Sequence, residues 1–175
     1  MFQTGEYVMY GRTGVCRIED IAEYSFGDSA GQRTYYKLSP VFSKGDIIYV
    51  PVDGCAHMRS VVDREEAQDC LRRFPGSKPK IFRSRIQRQV REHYETMLET
   101  YDMEVLLELI KETYAKRAEA AAQNKKFGQV DEQFLKYAEK LACGELAVVL
   151  DASVDSIRSA FRRQMREAQK NKYTV

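Results

Sequence analysis

Around Asp63 the periodicity of this 175-residue chain changes once and does not change back. Before that point, short runs of β-forming residues are punctuated by glycine and proline. After it, apolar residues recur at i, i+3, i+4 and i+7. Strands grouped ahead of helices, rather than alternating with them, predict an α+β chain of two domains, 1–61 and 62–175, joined by little linker.

In the first part, Gly5-Glu6 makes a tight turn that launches a strand over 7–10. Gly11-Arg12-Thr13-Gly14 folds the chain back into a second strand over 15–18, which continues, only partly alternating, through 20–24. Residues 26–32 are polar and glycine-rich and read as a mobile hairpin loop. A third strand covers 34–38 and is broken by Ser39-Pro40. A fourth covers 47–50 and stops at Pro51, which cannot donate to a ladder. Two strands alone are marginal, so four to five within about sixty residues argue for a small, strongly bent antiparallel sheet of the SH3 or Tudor kind.

The second part reads as a bundle of about five helices. Asp63 with Glu66 resembles a capping box, and Ala67, Cys70, Leu71 and Phe74 form one stripe, ended by the prolines at 75 and 79. In the next helix Ile86, Val90, Tyr94, Met97, Leu98 and Tyr101 fall inward within an arc of roughly 120°. Arg85 and Arg88 point to the opposite side and Arg91 to the flank, free to meet a partner. Asp102 caps a third helix with Val105, Leu106, Leu109, Ile110 and Tyr114 inward. Lys125-Lys126-Phe127-Gly128 is a loop signal, and Asp131 starts a fourth helix through Phe134, Leu135, Ala138, Leu141, Leu146 and Leu150. Gly144 inside it suggests a kink or a close helix contact. Ser153 caps a fifth helix with Val154, Ile157, Phe161, Met165 and Ala168 inward and a basic band, Arg162, Arg163, Arg166 and Lys170, beside that stripe. Residues 173–175 are expected to fray.

Apolar content of 43% and charged content of 31% suit an ordinary globular protein. No apolar run approaches the roughly 18–20 residues of a membrane-spanning helix. The first residues have neither a basic region nor an apolar signal core, so the expected location is the cytoplasm. Cys16, Cys55, Cys70 and Cys143, with His57 and His93, lack the spacing of a zinc knuckle or redox motif and read as free thiols. No metal, cofactor or catalytic residue is expected. Phosphate-cradling loops and nucleophile elbows are missing, the carboxylates are scattered along helix faces, and His93 rides a helix without a partner for base catalysis.

Binding remains. Residues 1–74 carry 9 Lys/Arg against 11 Asp/Glu, whereas 75–175 carry 19 against 15. Six basic residues and no acid lie between 78 and 91, and six with only Glu167 between 158 and 172. Such clustering suits a polyanion-facing surface, although on charge alone a solvated helix face is the commoner reading. Tyrosines 7, 10, 24, 35, 36 and 49 of the β part are good strand residues, half of them expected in the core, but an edge tyrosine can also anchor a partner strand.

Phe2-x-x-Gly5-Glu6-x-Val8-x-Tyr10 followed by Gly14-Val15, with Tyr35-Tyr36-x-Leu38 and Val50-Pro51-Val52, resembles the opening of the CarD/CdnL group of bacterial transcription regulators, shared with transcription-repair coupling factor. Leu98-x-Thr100-Tyr101-Asp102 and Ala138-Glu139-x-Leu141-x-x-x-Glu145-Leu146 resemble its helical half. The resemblance implies a Tudor-like RNA polymerase interaction domain that extends a β structure of the polymerase β subunit; the family's contacting positions fall near Tyr24 and Tyr49, and Tyr35 joins them as a candidate contact residue. It also implies a helical domain laid against double-stranded promoter DNA, for which the candidates are Arg83, Arg85, Gln87, Arg88, Arg91, Arg162, Arg163, Arg166 and Lys170. The implied protein is a monomer that joins the nucleoid through RNA polymerase. The family places a wedging tryptophan early in the helical domain. This chain has none, and the position falls at Gln87, with Phe82 and Tyr94 the nearest aromatics. A different reading is a protein-interaction adaptor whose helices bind no DNA.

Overall fold

A computed structural model describes residues 1–25, 33–74, 76 and 78–170. The hairpin loop expected over 26–32, residues 75 and 77 of the inter-helix tether and the fraying end at 173–175 lie outside the described residues. The chain divides into two compact units, Met1–Val61 and Val62–Val175.

Among the described residues, the first unit is one antiparallel sheet of five strands: β1 (Tyr7–Tyr10), β2 (Gly14–Tyr24), β3 (Arg33–Pro40), β4 (Ile48–Pro51) and β5 (Met58–Ser60), in the order β4-β3-β2-β1-β5. A single 3-10 turn, Gly11–Thr13, joins β1 to β2 and ends on Gly14 at φ 93°, which a residue with a Cβ rarely adopts. Val8, Cys16, Ile18, Tyr36, Leu38 and Val50 form the buried core. The register slips between Ile18 and Asp20, so Ile18 faces Leu38 while Ile21 faces Tyr36. This bulge changes the parity of β2: without it Ile21 would point away from the core that it packs against.

Both prolines expected to end strands are the last residues of their strands, Pro40 of β3 and Pro51 of β4, yet each is still paired in the ladder. Pro40 pairs with Cys16, and the next residue, Val41, donates its N–H to the Val15 carbonyl (3.0 Å), so the missing N–H of Pro40 faces away from β2. Pro51 pairs with Tyr35, and its neighbour Val52 donates to the Thr34 carbonyl (3.0 Å). Alternation along the ladder then turns the amide positions of Tyr49 and Pro51 outward from β3. The fifth strand, β5, pairs with β1 through Tyr10 and Met58 and carries no alternating pattern of its own.

The second unit contains α1 (Arg64–Arg73), α2 (Gln87–Glu99), α3 (Met103–Ala122), α4 (Gln129–Leu150) and α5 (Val154–Lys170). The expected caps are present. Asp63 accepts the Glu66 N–H (2.8 Å), Asp102 that of Val105 (3.1 Å) and Ser153 that of Ser156 (3.1 Å). The fourth helix starts two residues before Asp131, with Gly128 at its cap, and runs continuously through a buried Gly144. Helices α3 and α4 pair along the centre, with α1, α2 and α5 packed around them. Ile86, expected inward, is the residue before α2 and stands 54% exposed. The inward stripe of α2 begins only at Val90 and is fully buried at Tyr94 and Leu98.

Three carboxylates are buried among the described residues of this unit. Glu145 accepts the Val62 N–H (2.8 Å) at the approach to α1. Glu139 accepts the Tyr114 hydroxyl and is flanked by Arg158 (Nε 3.1 Å) and Arg162 (3.6 Å). Glu112 accepts the Phe82 N–H (3.0 Å) and lies 3.2 Å from Lys116 Nζ and 2.9 Å from His93 Nε2. His93 also stacks on Phe82, with ring centroids 4.5 Å apart. It is therefore not the isolated histidine that the sequence suggests. Its carboxylate partner comes from α3, 19 residues away.

Burial, then hydrogen bonding to Asp131, raises the Tyr94 phenol; burial, then hydrogen bonding to Glu139, raises that of Tyr114. An unfolded tyrosine loses its proton near pH 10, about where these two keep theirs, so the unfolded state binds fewer protons above that pH. The helical unit is therefore expected to hold its full stability below about pH 10 and to lose it progressively above. Helical circular dichroism followed from pH 9 to 12 checks this, and Tyr114→Phe should move the alkaline transition upward. A transition insensitive to that variant contradicts the assignment.

Candidate functional site

On the sheet, the parity set by the bulge and by the β3 and β4 registers places Tyr24, Tyr35 and Tyr49 on the face opposite the core. Their rings touch: Tyr24 and Tyr49 are 4.8 Å apart between centroids and Tyr24 and Tyr35 6.5 Å, both edge to face. The Tyr24 hydroxyl donates to Asp20 (3.1 Å). Desolvation and that hydrogen bond hold the Tyr24 phenol above its ordinary value. Tyr10 and Tyr36 instead serve the core, Tyr36 with its hydroxyl accepting the Phe2 N–H (3.2 Å). All three tyrosines expected to meet a partner thus sit together, beside the outer strand β4. Phe42 and Ile47, in the β3–β4 connection, are about half exposed and add apolar area near that strand.

Residues 2–62 match the family model of the CarD-like/TRCF RID domain, a span that coincides with this sheet. The first unit is a CarD-like/TRCF RID domain. No curated protein matches the chain. The RID is a protein-interaction domain rather than a catalytic one, and it ties the chain to RNA polymerase and to transcription. Its match ends at residue 62, so the helical unit has to be read from its own residues.

There the predicted cations fall into two groups, carried by the start of α2 and by α5. In the first group, Arg83 pairs with Glu119 (2.6 Å), and Arg88 with Glu92 one turn on (3.4 Å). Both guanidinium groups are largely exposed, so neither pair is worth more than a few tenths of a kcal/mol up to about 1. Arg85 and Gln87 are exposed, and no carboxylate pairs with Arg85 among the described residues. Arg91 is half-buried, donating to Gln133 (3.4 Å) and lying over the Phe134 ring (5.7 Å), so it serves packing against α4. The Gln87 position has an apolar neighbour in the exposed Ile86.

In the second group, Arg162 leans on Glu139. Burial would lower its guanidinium, but the Tyr114 hydrogen bond and the Glu139 charge outweigh that and hold it above its ordinary value. Arg163, Arg166 and Lys170 are exposed along α5, with Arg166 Nε donating to the Arg162 carbonyl (3.3 Å). The band of four seen in the sequence is thus one anchored arginine and three outer cations.

Two further cations were not among the predicted contacts. Lys125 and Lys126 lie in the α3–α4 loop and line one cleft with Arg83 and Arg85. The Lys-Lys-Phe-Gly run carried that signal, but lysines in a short loop are equally common as solvated punctuation.

No group of three or more metal-ligating side chains occurs among the described residues, and no described helix is long and apolar enough to cross a membrane. Burial pushes the Cys70 thiol up to about 11 and that of Cys143 to about 12, so both stay protonated and inert near neutral pH.

Proposed function

We propose that the chain is a non-catalytic transcription regulator whose RID grips the RNA polymerase β subunit and whose helical unit rests on the backbone of promoter DNA. The observation that carries the first half is the tyrosine trio on the outer sheet face, beside β4, within a domain of a polymerase-binding family. A partner strand added to such an edge gains main-chain hydrogen bonds, and the rings supply area at small entropic cost. The exposed cations at the start of α2 and along α5 support the second half, since phosphate contacts need accessible guanidinium and ammonium groups rather than a shaped pocket. Ile86 is the apolar group placed to act beside Gln87 where a wedging side chain would stand.

Retention of the full chain by the isolated polymerase β lobe tests the first half; no binding at micromolar protein would exclude it. For the second, Arg85→Ala and Arg88→Ala are each expected to weaken DNA retention and to reduce the slope of log affinity against log salt by about one. Arg91→Ala should leave that slope nearly unchanged because its guanidinium is turned to Phe134. Equal slopes for all three variants and the wild type would remove this surface from the DNA.

One observation favours the adaptor reading: Arg83, Arg88 and Arg162 each have a carboxylate of their own chain within reach. If those charges serve only the bundle, the RID still binds its partner but DNA is not retained at low salt with or without polymerase.

A further inference from the structure

A cleft of about 480 Å³ opens in the helical unit between the segment before α2, the end of α3 and the α3–α4 loop. Its lining contains five cations, among them Arg85, Lys125 and Lys126, against only two carboxylates, a net of three positive charges. Both carboxylates are already matched. Glu119 holds Arg83 at 2.6 Å, and Asp131 accepts the Tyr94 hydroxyl (2.6 Å) and a Lys116 ammonium proton (3.2 Å). Arg85, Lys125 and Lys126 have no carboxylate partner among the described residues, so the surplus charge faces an open concavity.

The walls are fixed without any ligand. Phe82 is held by its N–H bond to the buried Glu112 and by its stack on His93. Across the cleft, Asn124 takes a left-handed conformation (φ 51°) and Lys125 donates its N–H back to the Ala120 carbonyl (2.8 Å). Gly128 closes the turn where a Cβ would run into the Asp131 carboxylate. Two aromatic rings, Phe82 and Phe127, are part of the lining.

We propose that this cleft binds a small nucleotide bearing a di- or triphosphate. Its size is that of a small-molecule site, and it combines apolar aromatic surface for a base with converging cations for phosphates. A duplex presents its phosphates on a convex surface, so it can meet the rim cations of such a concavity but cannot fill it. A preformed wall lowers the ordering cost of binding.

Calorimetric titration of the full chain with ATP, GTP, inorganic triphosphate and adenosine tests this. At least one nucleotide binds in the micromolar range, more tightly than inorganic triphosphate or adenosine. The Lys125→Ala/Lys126→Ala variant weakens that affinity about tenfold or more. Arg85→Ala, at an exposed position, weakens it similarly, and Lys136→Ala/Lys140→Ala on the outer face of α4 does not. Phe127→Ala weakens the nucleotide but not triphosphate. Binding of neither nucleotide, equal binding of inorganic triphosphate, or indifference to Lys125 and Lys126 overturns the inference. A chain that retains DNA through Lys125 and Lys126 yet binds no nucleotide overturns it while leaving the DNA reading intact.

Discussion

Replacing Glu112 by alanine is expected to cost the helical unit about 3 kcal/mol, the scale for removing one partner from a buried charged network. At roughly 3 °C per kcal/mol, the thermal midpoint then falls by about 10 °C. Glu112 is only 2% exposed, and three groups converge on it: the Phe82 N–H, the His93 ring and the Lys116 ammonium. Lys116 keeps Asp131 and Tyr94, so its charge is not wholly stranded. Phe82 keeps no acceptor for its N–H, and the segment that carries Arg83 and Arg85 loses its anchor. Glu112→Gln retains an acceptor and should cost less. Melting followed at 222 nm on both variants checks this. If the alanine variant melts within about 2 °C of the wild type, the network does not hold this unit together.

Tyr49→Ala is expected to weaken binding of the polymerase β lobe by about thirtyfold, or about 2 kcal/mol, the loss typical of an interface tyrosine at a hot spot. The RID itself should stay folded, because Tyr49 lies opposite the core formed by Val8, Ile18, Tyr36 and Leu38. Tyr137→Ala, an exposed tyrosine of the helical unit, is the matched control and should change nothing. Equal affinity of the Tyr49 variant and the wild type, by biolayer interferometry on the immobilised lobe, would move the contact to another part of the sheet.

The switch from strands to helices and the starts of α1, α3 and α5 were legible because they rest on local chemistry, whereas α2 and α4 start elsewhere than Ile86 and Asp131 suggested. Asp63, Asp102 and Ser153 cap the helices that their spacing predicts. The strands do end at Pro40 and Pro51, but that both prolines still pair in the ladder was hidden for a physical reason. A proline stops a strand only where its absent N–H would have joined the ladder, and that depends on pairing, which single-chain patterns do not contain. β5 is three residues long and exists through its pairing with β1. The bulge after Ile18 left a trace, in that Cys16, Ile18 and Ile21 break a strict alternation, but only the partner strand fixes where the extra residue goes.

The candidate sites divide along the same line. The tyrosines could be named from composition, yet which of them share a face needed the register. Arg91 was placed at the flank of the apolar stripe yet still free to meet a partner, and what withdraws it is Phe134 of another helix, whereas Arg85 precedes α2 and is exposed. Lys116 stands at the ordinary i,i+4 helical spacing from Glu112, but Glu112 was invisible as a hub because its other partners come from residues 82 and 93, at spacings that no motif encodes. Lys125 and Lys126 gain their meaning only from the cleft that they border.

The position of Pro51 also bears on what two copies of this protein can do to each other. Along β4 the outward amide positions fall at Tyr49 and Pro51, so that rim presents at most one donor where an ordinary strand of the same length would present two. A visiting strand must bring the missing N–H groups itself. A second β4 rim carries the same shortage and makes a poor match for the first, which protects the free chain from edge-to-edge aggregation before it meets its partner.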